Sequence, residues 1–168
     1  MLEINNTTRR KIDQRKIEKI GQVVLQKYQK KNYLVSLALI GTGRMRGLNR
    51  DYRGLNKTTD VLAFPAAVSV LKMNSIKNNY PAKYLGEVII NVSETDKINK
   101  YWTMFKEIGR DDFTSLKLNQ TKKGAARSYL FYFLLIHGLL HLLGYDDQTA
   151  AGHREMMSIG EKILAKIK

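Results

Sequence analysis

Three histidines occur in this 168-residue chain, His137, His141 and His153, and all lie within 17 residues of one another near the C-terminus. Imidazole nitrogens are metal donors at neutral pH, so their spacing is informative. His137 and His141 are four residues apart. On a helix that places them on one face, one turn apart, where both rings can reach a single ion. A third donor must come from chain that bends back. Gly144 permits the bend and Asp147 follows it, giving His-x-x-x-His-x-x-Gly-x-x-Asp. Cysteine is absent. That excludes disulfides and thiolate sites, and any metal must be held by His, Asp or Glu. Three protein ligands leave zinc an open position, where bound water has its pKa lowered to about 7.

This arrangement is close to that of metzincin zinc proteases, in which a helix supplies two ligands and a glycine-permitted turn brings the third. Those enzymes carry Glu directly after the first His as general base. Here the position is Gly138, so a peptidase mechanism of that kind is disfavoured while the metal geometry survives. Asp60 is a further candidate base, but an acid in a Thr-Thr-Asp turn is more often a cap.

The elements that must position these groups can be read from pattern. Lys122 to Leu143 is a long apolar helix closed by Gly144 as C-cap. Its most apolar run, Tyr129 to Leu143, is 15 residues long and broken by two histidines. That is too short for a bilayer span and is expected to be a buried helix. Thr149 to Ile167 is a final amphipathic helix. Upstream, Leu2 to Asn5 reads as an edge strand, and Thr7 or Thr8 as the cap of a helix carrying Ile12, Ile17, Ile20, Val24 and Tyr28 on one face. Asn32 to Ile40 reads as a strand, Arg44 to Tyr52 as a helix ended by Arg53-Gly54, and Asp60 to Phe64 as a strand stopped by Pro65. Tyr84 to Val92 is a further strand, and Ser93 begins a helix with Asp96 three residues on. Residues 66–83 are expected to be a long hairpin or loop, and 109–120 a surface insertion. No repeat, low-complexity tract or linker divides the chain. The expectation is one α+β (α/β-like) domain over 1–168, with a small mixed sheet of about four strands and about five helices, and the metal site at the end of a central buried helix.

Apolar residues make up 43% of the chain and its net charge is +14. The chain is therefore expected to fold, and to attract polyanions. Residues 1–57 hold 14 Lys/Arg against 4 Asp/Glu, and the rest hold 15 against 11. Excess charge concentrated in one third of the chain points to a nucleic-acid partner. The first residues lack a basic start followed by an apolar run, so no signal peptide is expected and the protein is read as soluble and cytoplasmic.

The segment from His137 to Asp146, with its His-Gly-Leu-Leu-His-Leu-Leu-Gly-Tyr-Asp run, resembles the signature of the YbeY family of endoribonucleases, bacterial ribosomal RNA maturation factors. Leu48-Asn49-Arg50-Asp51-Tyr52-Arg53 with Thr58-Thr59-Asp60-Val61-Leu62-Ala63-Phe64-Pro65 resembles a second family segment, and Leu85-Gly86-Glu87-Val88-Ile89-Ile90 a third. The three occur in the family's order. The resemblance implies a zinc-bound hydrolase of single-stranded RNA that acts in ribosomal RNA maturation, notably near the small-subunit 3′ end, and in ribosome quality control, with ribosomal RNA and the ribosome or its proteins as partners. It implies that His137 and His141 are metal ligands and that Arg53 acts at the RNA-facing site. Arg44, Arg46 and Arg50, in the basic first third of the chain beside Arg53, are read as further RNA contacts. The family motif ends in a third His where this chain has Asp147. An Asp oxygen is an acceptable zinc ligand and, being harder and anionic, also suits Mn²⁺. His153, two turns into the next helix, is the alternative. A non-catalytic RNA-binding ribosome assembly factor is the rival reading.

Overall fold

The computed structural model describes residues 1–66, 83–107 and 120–167. Four strands form one mixed sheet: β1 (Leu2–Asn6), β2 (Leu34–Ile40), β3 (Val61–Pro65) and β4 (Tyr84–Asn91), in the spatial order β1-β2-β4-β3. β1, β2 and β4 run parallel, and β3 closes the sheet antiparallel to β4, with Val61 opposite Ile90. Five α-helices occur among the described residues: α1 (Gln14–Lys27), α2 (Thr42–Arg53), α3 (Trp102–Glu107), α4 (Gln120–Leu142) and α5 (Ala150–Lys166). The mixed sheet and the helix at its centre agree with the α+β expectation.

Strand alternation divides the core in two. Val35, Leu37, Leu39, Val88 and Ile90 point to one face, where α1, α4 and α5 cover them. Ile40, Leu62 and Ile89 belong to a smaller cluster on the other face, closed by Met45 of α2. Helix α4 is the hub of the larger core. Leu130, Leu135, Ile136, Leu139 and Leu140 on it are fully buried. At about 25 cal/mol per Å² of apolar surface taken from water, their burial stabilises the fold by several kcal/mol. By length and composition Lys122–Leu142 could also cross a membrane. Here it packs against β3, β4, α1 and α5 as a core helix.

Several local expectations are corrected. Neither Thr7 nor Thr8 caps α1: the Thr7 hydroxyl donates to the Leu39 carbonyl and the Thr8 hydroxyl to the Asn6 side chain. Asp13 is the cap, accepting from the Lys16 amide, so Ile12 lies before the helix. β2 begins at Leu34 rather than Asn32, because Gln29 takes a left-handed conformation (φ 57°) and turns the chain there. Ser93 caps no α-helix. Two 3₁₀ turns follow it, Glu94–Asp96 and Ile98–Tyr101, because Glu94 is buried and its carboxylate takes Lys97 and Lys100 instead of a free amide. Most of 66–83 and of 109–120 falls outside the described residues.

Candidate metal centre

The site grows from the way α4 rests on the sheet. A Cβ on Gly138 would lie 2.5 Å from Val88 Cγ1 and 3.2 Å from Val61 Cγ2. Only glycine lets the helix approach that closely. This contact also explains why no acid stands after the first histidine: the position faces two valines, not a metal. With Gly138 pressed on the sheet, His137 and His141 project together beside it, their rings 4.7 Å apart and nearly perpendicular. The His137 ring is further stacked by Phe133 at 6.5 Å.

Helix α4 then ends in a Schellman motif. The Gly144 amide donates to His141 O and the Tyr145 amide to Leu140 O. Gly144 sits in the left-handed region (φ 94°), which the motif requires and L-residues disfavour. The turn does two things. It leaves the Tyr145 carbonyl 3.0 Å from His141 Nδ1. A carbonyl can only accept, so Nδ1 carries the proton and the Nε2 lone pair faces the site. It also returns the chain so that Asp147 Oδ2 lies 3.2 Å from His137 Nε2 and Oδ1 lies 3.8 Å from His141 Nε2.

The three donor atoms fall within 4.8 Å of one another. His137 Nε2 and His141 Nε2 are 3.1 Å apart. Two imidazole lone pairs and a carboxylate facing one point require a proton or a cation between them, and this donor set suits a divalent transition metal. Burial holds the His137 pKa below its usual value, as does the His141 charge, and both outweigh the opposing Asp147 and Asp60 carboxylates. A neutral imidazole is the ligand form. The side chains are 13%, 26% and 35% exposed for His137, His141 and Asp147, so the group is anchored on the protein side and open to solvent on the other.

Of the two candidates for a third ligand, the fold brings in Asp147. His153 is half-exposed on α5 and faces Glu107 at 4.0 Å, apart from the group. Arg53 is the last residue of α2, exposed, with no ion pair among the described residues. It makes no hydrogen bond to the histidines. Arg46 donates to Asn56 and Arg50 pairs with Asp51, while Arg44 lies close enough to Glu87 to oppose the rise that burial gives its pKa. The segments around them are tied by two buried asparagines. Asn49 donates to the Lys57 carbonyl, and Asn91 donates to the Thr58 hydroxyl and the Thr59 carbonyl. Asp60 is engaged as a turn residue, accepting from the Val61 amide and the Tyr101 hydroxyl. Sequence reasoning missed the orienting role of the Tyr145 carbonyl, whose only signal there is the glycine before it.

Comparison with known proteins identifies the family and the fold. The family profile described as Endoribonuclease YbeY matches residues 3–107 and 115–168. An endoribonuclease YbeY of a Nitratiruptor species is 34% identical over 98% of this chain and 87% of its own length. That of Helicobacter pylori is 32% identical over 98% and 91%, and that of Leptospira interrogans is 33% identical over 76% and 81%. A Thermotoga maritima protein solved in solution shares the fold, with a TM-score of 0.55, 18% identity and 99% of this chain aligned to 89% of it. On this full-length match, the chain belongs to the endoribonuclease YbeY family.

Proposed function

We propose that this protein is a zinc-dependent endoribonuclease selective for single-stranded RNA, acting in ribosomal RNA maturation, especially at the small-subunit 3′ end, and in ribosome quality control. The observation that carries the reading is the convergence of His137 Nε2, His141 Nε2 and an Asp147 oxygen within 4.8 Å in a chain of an endoribonuclease family. The three side chains would hold the ion. When bound, zinc supplies Lewis-acid stabilisation of a phosphate oxygen and acidification of water. His141 presents its Nε2 lone pair because Tyr145 O fixes its tautomer. Asp147 adds a negative charge that a third imidazole would not, which favours retention of the cation and leaves room for a harder ion such as Mn²⁺.

Arg53 binds the scissile phosphate through its planar fork and offsets charge developing in the transition state. Arg44, Arg46 and Arg50 lie on the same helix and hold neighbouring phosphates. Asp60, already accepting from the Thr59 hydroxyl, the Val61 amide and the Tyr101 hydroxyl, serves the turn and not proton transfer. The partners are ribosomal RNA and the ribosome or its proteins, in the cytoplasm.

The test is bound metal per chain, measured on protein purified without a His tag, together with cleavage of matched single- and double-stranded RNA. The expected result is about one zinc or similar ion, lost in His137→Ala, with cleavage confined to the single strand. No stoichiometric metal after reconstitution, with RNA binding intact, would replace the nuclease by a non-catalytic assembly factor. Arg53→Ala separates the two further: lost cleavage with binding kept supports the nuclease.

A further inference from the structure

We infer that a basic track leads away from the metal centre, along the 3₁₀ segment to the N-terminal half of α4, and holds the sugar-phosphate backbone of a single-stranded RNA beyond the cleavage point. It rests on the RNA-hydrolase reading and extends it to residues outside α2.

The track can be followed contact by contact. Val61, which packs against Gly138, is preceded by Asp60, whose carboxylate lies near enough to oppose the fall that burial gives the His137 pKa. Lys100 Nζ stands 3.9 Å from Asp60 Oδ2 and 3.2 Å from Glu94 Oε2. Lys97 Nζ holds the other Glu94 oxygen at 2.7 Å. Next, a hollow lined by Asp96, Lys97, Lys100, Lys123 and Arg127 adjoins a second, of about 310 Å³, lined by Arg10, Lys11, Asp13, Arg127, Phe131 and Tyr132. Arg127 lines both. Arg10 and Arg127 grip the same carboxylate, Asp96, at 2.5 and 3.2 Å.

Depth decides what this surface presents. Glu94 is 2% exposed, while Lys97 and Lys100 are 55% and 51% exposed. The anion lies beneath and the ammonium groups stand in solvent, already oriented by it. Organised cations spend less conformational freedom on binding a phosphate than free lysines would. Asp96 takes one contact from each of two guanidinium groups that carry five donors apiece, leaving donors over for phosphate oxygens. Two aromatic residues, Phe131 and Tyr132, line the second hollow together with these cations, as in grooves that track single strands.

The experiment uses the metal-loaded full chain and two labelled single-stranded RNAs, about 4 and about 16 nucleotides long. Affinity is read at several salt concentrations. The double variant Lys11→Gln/Lys123→Gln removes two track cations, neither of which holds an ion pair among the described residues. The control Lys27→Gln/Lys31→Gln makes the same charge change beyond the other end of α1, about 20 Å or more from Lys11. The track predicts a several-fold loss of affinity for the longer RNA and a salt slope shallower by about 1.4, at roughly 0.7 per lost contact. The loss is smaller for the short RNA, and the control keeps the wild-type slope. Equal losses for both lengths, or the same slope in variant and control, would overturn the track. If the wild type cleaves neither RNA, the nuclease reading fails, and the slope comparison still decides the track.

Discussion

The helix that carries His137 and His141 and the helix that carries Arg44, Arg46, Arg50 and Arg53 lie against opposite faces of one sheet, and they are held very differently. Helix α4 is surrounded by β3, β4, α1 and α5, and its glycine touches the sheet so closely that a methyl group would collide. Helix α2 buries only Met45 and Asn49, and its four arginines are all exposed. Ligand groups for one ion must meet within a few tenths of an ångström, so they sit where packing leaves a single arrangement. The phosphate contacts proposed for α2 tolerate movement on a flexible strand, so long side chains on a lightly covered helix suffice.

The difference can be attacked from its rigid side first. Gly138→Glu restores the acid that a metzincin would have, but buries an unpaired carboxylate between Val88 and Val61. It is expected to cost at least about 3 kcal/mol and to lower the melting temperature by roughly 6–12 °C. An unchanged melt would mean that α4 does not rest on the sheet at this point.

Glu94→Gln tests a buried charge in the same half of the molecule. Burial would raise the Glu94 pKa, but the hydrogen bonds from Lys97 and Lys100 outweigh it and hold the carboxyl below its usual range. A depressed folded pKa means that the unfolded chain binds the proton first. The stabilisation is therefore complete above the ordinary carboxylate range, near 4.3, and is lost as pH falls below it. The variant should be about 1.5–3 kcal/mol less stable at pH 7 and should lose less of its stability on acidification. Parallel stability curves for the two proteins would remove Glu94 from the account.

Gly144→Ala forces a side chain into the left-handed region, at about 1–2 kcal/mol. Its sharper consequence is on the ion. If the Tyr145 carbonyl moves, His141 loses its orienting partner, and zinc affinity should drop by roughly 10–100-fold. Competition with a chromophoric chelator measures this, and a stability change without an affinity change would separate the turn from the metal.

Arg53→Ala, on the lightly held helix, should change stability by less than about 0.5 kcal/mol while reducing RNA cleavage about 10²-fold. A large stability loss there would erase the contrast between the two helices.

The composition and spacing of the chain settled much of this in advance. A two-histidine helix ending at Gly144, strands whose apolar residues alternate, and a basic first third were all legible, because each depends on local periodicity or on the chemistry of single residues. The cap of α1 was not. Thr7 and Thr8 have the right side chains, but their hydroxyls are claimed by Leu39 O and Asn6, a partner in another strand and a local side chain that no propensity reveals. The turn after Ser93 escapes for the same reason: Glu94 is buried and its carboxylate is claimed by Lys97 and Lys100.

At the metal centre, sequence named His137, His141 and Asp147 and left His153 open. It could not choose between Asp147 and His153, since both lie within reach of a chain that bends at Gly144. The choice belongs to tertiary structure. The Schellman turn sends Asp147 back beneath the rings, while α5 carries His153 outward to Glu107. The meaning of Gly138 was equally hidden: an absent general base in one dimension is, in three, the point where helix and sheet touch. Residue types fix which bonds and ligands are available. Which of them meet depends on distances between segments remote in sequence, and those are set only when the core closes.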